Sequence, residues 1–528
     1  MLTDGRVIVV LFYIINSMIK RDGACTSLWQ DNVAPYLAVN APVQNVIYDV
    51  IIAGGGITGI STALLLQQAG KKCILLEANN LCFGTTGGTT AHLNTLLDTP
   101  YSTISKNFGK EKAKLVAQSV KEAIDLIRKN IDTYNINCGF EEADAFLFAE
   151  DDKQEKELEK IKEATAEAGV IVNYTDQIPI PVSFKKAIQV RGQAKFIPTQ
   201  YVYGLATAFE KEGGVIIQEC RVTGAEENEI IQVETTSGSF SGNALIYATH
   251  IPPTVNLLHL RCVPYRSYVM AVTLKNNTYP QGLIYDMYDP YHYYRTQEME
   301  GQRYLIGGGY DHKTAHEENT EHCFLQLEAH LRGNFEIKEV NYKWSSQYFE
   351  PADGLPYIGQ LPGHTGKIYA ATGYGGNGMV YSSVAAMLLK KIILNEESPY
   401  PDVYNPNRIK PVAGFVNFIK HNADVVKQFA GKWFPHENLD ELATLAPGEG
   451  KVVNYDNHKI ALYKDDDGVL HAVNPICTHL KCEVKWNDAE RSWDCPCHGA
   501  RYSFDGKVLT GPADTDLETL EIRSLIEK

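Results

Sequence analysis

Cysteine is scarce in this chain, eleven among 528 residues, which excludes a small secreted fold held together by disulfides. Positive charge is short too. Against 64 Asp and Glu stand 49 Lys and Arg, a formal net charge of −15 with no basic block, so nucleic acid and anionic membrane surfaces are excluded as electrostatic partners. Long apolar runs are also missing: the nine-residue stretch 7–15 falls far below the ~20 residues of a spanning helix, and membrane association is not expected. The residues before it lack the net positive charge of an export signal and no twin-arginine signal is visible, so a cytoplasmic protein is expected, with Met18 as an alternative start. Repeats and low-complexity tracts are absent. No catalytic triad and no paired carboxylates stand at diagnostic spacing, which fits chemistry carried by a cofactor.

What is present divides the chain into regions. After an N-terminal segment, 1–47, residues 48–396 alternate short apolar runs with helical patterns, the mark of an α/β domain. Within it, roughly 185–350 is richer in strand patterning and reads as a second sheet inserted into the first domain. Prolines at 399, 401, 406 and 411 make a stiff connector, and 415–433 reads as an amphipathic helix, giving a linker region 397–440. The remainder, 441–528, is a series of short strands and Gly/Pro turns, an all-β pattern.

Chemistry first shows at Tyr48–Gly59, where a buried strand runs into Gly54-x-Gly56-x-x-Gly59 and a helix. Such glycines allow a tight turn, backbone approach to a pyrophosphate and close helix packing, while Glu77, closing the next strand, is placed for ribose hydroxyls. Nicotinamide and flavin remain equally open on this motif. Two further motifs separate them: Gly84-Thr-Thr-Gly-Gly-Thr-Thr-Ala91, and a late set made of Trp344, Asp353-Gly-Leu-Pro-Tyr-Ile-Gly359 and Ala371-Thr-Gly-Tyr-Gly-Gly-Asn-Gly378. With them, 48–396 resembles the glycine oxidase/D-amino-acid oxidase (DAO) family of FAD-dependent oxidoreductases.

That resemblance implies a Rossmann-like FAD-binding domain with an inserted β-rich α+β substrate domain. It also implies Gly54, Gly56, Ile57, Thr58 and Glu77 along the ADP half, Thr85, Thr86 and Ala91 near the middle, and Val222 at the adenine. Gly375, Gly376, Asn377, Gly378 and Met379 would sit by the pyrimidine edge, where a helix N-terminus stabilises the negative charge of reduced flavin. Relatives with a flavin-linked histidine carry it just after Gly-Thr-Thr; here Gly87 and Gly88 follow, so non-covalent FAD is expected. His250 replaces the family's usual glycine.

Four cysteines crowd near the end, in Cys477-Thr-His479-Leu-Lys-Cys482 and Cys495-Pro-Cys497-His498-Gly499. Cys-x-His on one loop and Cys-x-x-His on a second read as a Rieske [2Fe–2S] site with Cys477, His479, Cys495 and His498 as ligands; zinc is the rival reading. The loops resemble the Rieske proteins of cytochrome bc-type complexes. This resemblance implies a Cys482–Cys497 disulfide, Tyr502 as a donor to a ligand sulfur, and 511–513 as a proline loop over the cluster. At the place of their serine donor stands Ala500, so a lower potential is expected.

Together the two halves resemble bacterial proteins that fuse a DAO-type oxidoreductase to an all-β Rieske domain. The expected activity is oxidation of a small amine or amino-acid-like substrate by FAD, with electrons leaving singly through the cluster to an external acceptor such as a ferredoxin, a cytochrome or a quinone-linked carrier. A reductase running the other way and a non-catalytic electron-transfer subunit of a membrane complex are the alternatives. The aromatic run 285–295 reads as half-buried strand residues, with an aromatic lining for an amine and Arg295 as partner of a substrate carboxylate as the alternative reading. His312, His316 and His322 read as a solvated helix start rather than a metal site.

Overall fold

The computed structural model describes residues 21, 23–42, 45–408, 445–455 and 458–520. The apolar stretch 7–15 and the helix expected at 415–433 lie outside the described residues.

The first sheet is built on strand Ile47–Ala53, paired in parallel with Cys73–Leu76 on one side and Gly238–Tyr247 on the other. Every residue of Cys73–Leu76 is buried, as expected of a strand covered on both faces. Ile57–Gln68 follows the first strand as a helix because nothing in it breaks the pattern until Gly70, whose φ of 82° ends it. That helix is buried on nearly every face, between the sheet and helices Pro198–Lys211 and Gly378–Ile393. Its N-terminus therefore opens at the carboxyl ends of the parallel strands, where this architecture leaves a crevice.

The second sheet, nine strands among the described residues, runs Ile337–Pro351, Cys262–Leu274, Gln302–Lys313, Tyr293–Met299, Leu283–Tyr285, Glu141–Ala149, Lys186–Lys195 and His92–Leu93, with Val172–Thr175 beside it. This corrects the expectation of a contiguous insert at 185–350. Strands at 92–93, 141–149 and 172–175 join the second sheet from outside that range, while 215–217, 222–226, 231–235 and 238–247 lie within it and belong to the first. The chain crosses between sheets repeatedly, so the crevice between them is walled by distant segments.

The C-terminal region holds two small antiparallel sheets, Gly450–Tyr455/His458–Lys464/Leu470–Val473 and Lys485–Asn487/Ser492–Asp494/Arg501–Ser503/Val508–Thr510. It is seated on the rest of the chain through a buried ionic knot. Glu490 pairs with both Arg266 and Arg501, Arg501 also reaches Asp494 at 3.0 Å, and all four side chains are at most 1% exposed. An isolated charge could not be buried there; paired and hydrogen-bonded, these can. Among the described residues no helix is long and apolar enough to cross a membrane.

Candidate functional site

One cavity of about 290 Å³ runs between the two sheets and reaches the C-terminal region. At one end lie Gly54, Gly56, Ile57, Thr58, Glu77 and Val222. Gly54 has a φ of 109°, and a Cβ there would come within 2.5 Å of the Ala248 carbonyl oxygen, so only glycine makes this turn. Glu77 accepts from the backbone N–H of Gly55 (2.6 Å) and Asn79 (2.9 Å), which ties the turn to the next strand. In the middle, Thr85 and Thr86 line the cavity, Thr86 taking the Ile57 N–H at 3.1 Å. His250 has a left-handed backbone (φ 72°), and its Nδ1 lies 3.1 Å from Thr85 Oγ1.

Gly375, Gly376, Asn377, Gly378 and Met379 line the next stretch, where helix Gly378–Ile393 begins. Asp98 holds this loop from across the cavity: its Oδ2 accepts from Gly376 N at 2.6 Å and its own N–H donates to Asn377 Oδ1 at 2.8 Å. Enclosure by protein pushes the Asp98 carboxyl up, opposed by hydrogen bonds from the Gly376 N–H and the Tyr291 hydroxyl.

Beyond it stand His92, Asn94, Tyr285, Tyr291, Tyr293, Asp311 and Tyr348. Tyr285 OH meets His92 Nδ1 (2.6 Å) and Asn94, Tyr291 OH donates to Asp98 (3.1 Å), and Tyr348 OH donates to Asp311 Oδ2 (2.9 Å). Burial raises Asp311 to about 7 and drives His92 well below the usual imidazole range. Motif reading missed His92, Asn94, Asp98 and Asp311, since each reaches the cavity through the second sheet or its connections rather than through a sequence signature.

Two expected residues lie elsewhere. Ala91 is fully buried with a φ of 55° and does not line the cavity. Arg295, expected to meet a substrate carboxylate, is also fully buried and turned away: it donates to the carbonyls of Thr90 (2.8 Å), Ala91 (2.8 Å) and Phe196 (3.2 Å) and to Gln297, over the Trp29 ring. Its work is to brace the 84–91 loop from behind. Residues 27–30 back the same loop, with Trp29 Nε1 donating to Thr89 O at 2.6 Å and Ser27 to Gly87 O. A Cβ on Gly87 would meet the Cys82 carbonyl oxygen at 2.3 Å, so that position does not accommodate a side chain, while one on Gly88 would have to displace the Arg21 guanidinium, 2.6 Å away.

In the C-terminal region, Cys482 and Cys497 form a disulfide, leaving Cys477 and Cys495 as buried thiols. The three sulfurs of Cys482, Cys495 and Cys497 come close enough to suggest a metal group, but the disulfide removes two of them as donors. A hydrogen bond from Cys495 lowers the Cys477 thiol below the usual range, and Tyr502 OH stands 3.2 Å from Cys477 Sγ. The rings of His479 and His498 are 5.1 Å apart, and His479 Nε2 with both nitrogens of His498 are buried without a hydrogen-bond partner. Orphaned imidazole nitrogens beside two buried thiols are the donor set a two-thiolate, two-imidazole iron–sulfur centre requires. Ala500, fully buried, offers no hydroxyl, and its carbonyl takes the Cys495 N–H at 2.8 Å.

The cavity and these loops share walls. Gln347 lines the cavity, and its Nε2 donates at 2.8 Å to the carbonyl of Gly499, next to His498. Ala513 lines the cavity on one side and joins the cysteine-lined core on the other. His259, from the first domain, lies edge-on to His479 at 4.6 Å and near His498 at 5.8 Å between ring centres. By contrast His312, His316 and His322 do not converge: His312 bonds Tyr268 OH and the Lys313 carbonyl, and His316 the Thr314 carbonyl.

Comparison with known proteins agrees with this division. Residues 49–392 match the DAO family of FAD dependent oxidoreductases, and 432–521 match the Rieske [2Fe-2S] domain. The putative Rieske 2Fe-2S iron-sulfur protein YhfW of Bacillus subtilis is 32% identical over 90% of this chain and 93% of its own. Gamma-glutamylputrescine oxidoreductase of Escherichia coli is 24% identical over 68% of this chain and 86% of its own. Among solved structures, glycine oxidase from Geobacillus kaustophilus superposes with a TM-score of 0.58 at 17% identity, covering 69% of this chain and 99% of that enzyme.

Proposed function

Because the chain belongs to the DAO family of FAD-dependent oxidoreductases and carries a Rieske [2Fe–2S] domain, we propose that it is a dehydrogenase which oxidises a small amine or amino-acid-like substrate and sends the electrons, one at a time, to an outside carrier. The observation that supports this most directly is Gln347, a single side chain that lines the cavity and hydrogen-bonds the loop of His498. FAD held in this cavity would supply a hydride acceptor for the carbon beside the substrate nitrogen, and a cluster held by the C-terminal loops would supply one-electron transfer.

The residues have corresponding tasks. Gly54, Gly56, Ile57 and Thr58 hold the pyrophosphate at the helix N-terminus, Glu77 the ribose, Val222 the adenine side, and Thr85 and Thr86 the middle of the cofactor. Residues 375–379 hold the pyrimidine edge, with Asp98 fixing their loop. The closed backbone contact at Gly87 favours FAD held without a covalent bond. Cys477, Cys495, His479 and His498 hold the iron, and Tyr502 orients the Cys477 sulfur. Asp311, raised to about 7 by burial, can exchange a proton with a substrate nitrogen near neutral pH. A ferredoxin, cytochrome or quinone-linked carrier in the cytoplasm completes the path.

Anaerobic mixing of the holoenzyme with candidate amines tests the reading. Flavin absorbance should fall first, and the rhombic spin signal of a reduced Rieske centre should follow. Bleached flavin beside a permanently oxidised cluster would overturn it, and reduction only by a reduced carrier would reverse the direction.

A further inference from the structure

Four ring nitrogens lie buried without a hydrogen-bond partner where the C-terminal loops meet the first domain: His479 Nε2, both nitrogens of His498, and Nδ1 of His259. One nitrogen of each ligand ring goes to iron, and a ligating imidazole is neutral with its proton on the other nitrogen. His498 is then left with one N–H donor, and His259 with one ring nitrogen, both enclosed by protein. Buried polar atoms are rarely left unsatisfied.

Local sequence decides what His259 presents. Asn256 Oδ1 accepts from the Leu258 N–H at 3.0 Å and starts the short turn Leu257–Leu260, which buries Leu258 and His259 and leaves Val255, Leu257 and Leu260 exposed. His259 Nε2 stands 2.8 Å from the Pro252 carbonyl oxygen. A carbonyl only accepts, so Nε2 carries the proton; Asn256 Nδ2, 3.3 Å from the same nitrogen, has the carbonyls of Pro252, Pro253 and Thr254 to donate to. Burial keeps the ring neutral, which leaves Nδ1 as a bare lone pair. The ring centre of His259 lies 5.8 Å from that of His498. The other ligand ring, His479, has the Thr254 carbonyl of the same loop against it.

We propose that His259 Nδ1 accepts a hydrogen bond from the non-ligating N–H of His498, making this first-domain histidine a positioning residue for a cluster ligand. An acceptor there raises the basicity of the ligand, favours the oxidised cluster and lowers its potential. The domain that holds the flavin thereby sets part of the cluster potential, whichever way electrons run.

Protein-film voltammetry of the holoenzyme at fixed pH tests this role through three variants. His259→Phe keeps a ring and removes the acceptor, so the cluster should become about tenfold easier to reduce, a rise of about 59 mV for a one-electron couple. Apolar packing alone would move the potential the other way, because the reduced cluster is the more negative form. His259→Asn, whose Oδ1 takes the place of Nδ1, should restore the parent potential. His259→Gln keeps a donor for the Pro252 carbonyl without an acceptor at the δ position and should match His259→Phe, which preserves the test where the phenylalanine protein fails to load its cluster. Pulsed electron spin resonance of the reduced cluster adds a second readout: nitrogen couplings of one histidine ligand should change in the Phe and Gln proteins and return in the Asn protein. An unmoved or lowered potential in the Phe or Gln protein, an Asn protein shifted as far as these, or unchanged couplings in a loaded Phe or Gln protein overturns the assignment.

Discussion

The flavin cavity and the cluster loops solve the same problem, holding a redox group, by opposite constructions. Cavity walls come from residues as far apart as Arg21 and Asp514, brought together by two sheets between which the chain repeatedly crosses. The four cluster donors come from two short loops between Cys477 and His498, tied by one disulfide. Most polar atoms at the cavity already have protein partners, whereas His479 Nε2 and both ring nitrogens of His498 are buried without one. A distributed site can be altered locally and survive; a compact one depends on each donor.

Breaking one donor gives the largest effect. Cys495→Ala should abolish the iron–sulfur spin signal and reduce bound iron to background while FAD content stays near that of the parent, read by electron spin resonance and flavin absorbance. Loss of both cofactors together would show that the two constructions are not independent. A smaller effect is expected at their seam: Gly499 has a φ of 75°, and a Cβ there would lie 2.6 Å from Pro264 Cβ and 2.9 Å from Gln347 Nε2. Gly499→Val should cost about 1–3 kcal/mol in thermal unfolding and slow the cluster phase after flavin reduction, with the flavin phase unchanged. The smallest effect belongs to Ala500→Ser. Supplying a hydroxyl near the ligand sulfur should raise the cluster potential by roughly 40 mV, about 1 kcal/mol for a one-electron couple, in protein-film voltammetry; an unmoved potential would show that position 500 does not address the sulfur.

The same contrast explains what could be read in advance. The candidate ligands of the compact site were legible because they stand in two short loop motifs, and the Cys482–Cys497 disulfide followed from the resemblance of those loops to Rieske proteins. Glycines at 54, 56 and 59 were legible for a similar reason, since turn, helix start and strand are consecutive. Asp98 and Asp311 were not, because they meet only after strands such as His92–Leu93 and Gln302–Lys313 take their places in one sheet. Arg295 shows the converse error: an arginine among tyrosines suggests a carboxylate partner, yet strand alternation points it to the protein interior, where backbone carbonyls satisfy it. The contiguous substrate domain failed too, since local strand patterning does not say which sheet a strand joins.

One contact made early in the chain also has a consequence in time. Residues 24–30 touch both the loop at 82–89 and the turn at 490, where Ala24 N donates to Glu490 O at 2.8 Å and Trp29, fully buried, bonds Thr89 O. During synthesis the first of these partners emerges soon after the segment itself, while the second must wait until nearly the whole protein has been made. The flavin loop can therefore be buttressed on the ribosome, and the same stretch later serves as the latch that receives the iron–sulfur domain. Assembly thus has a built-in order, with the flavin half prepared before the Rieske domain arrives.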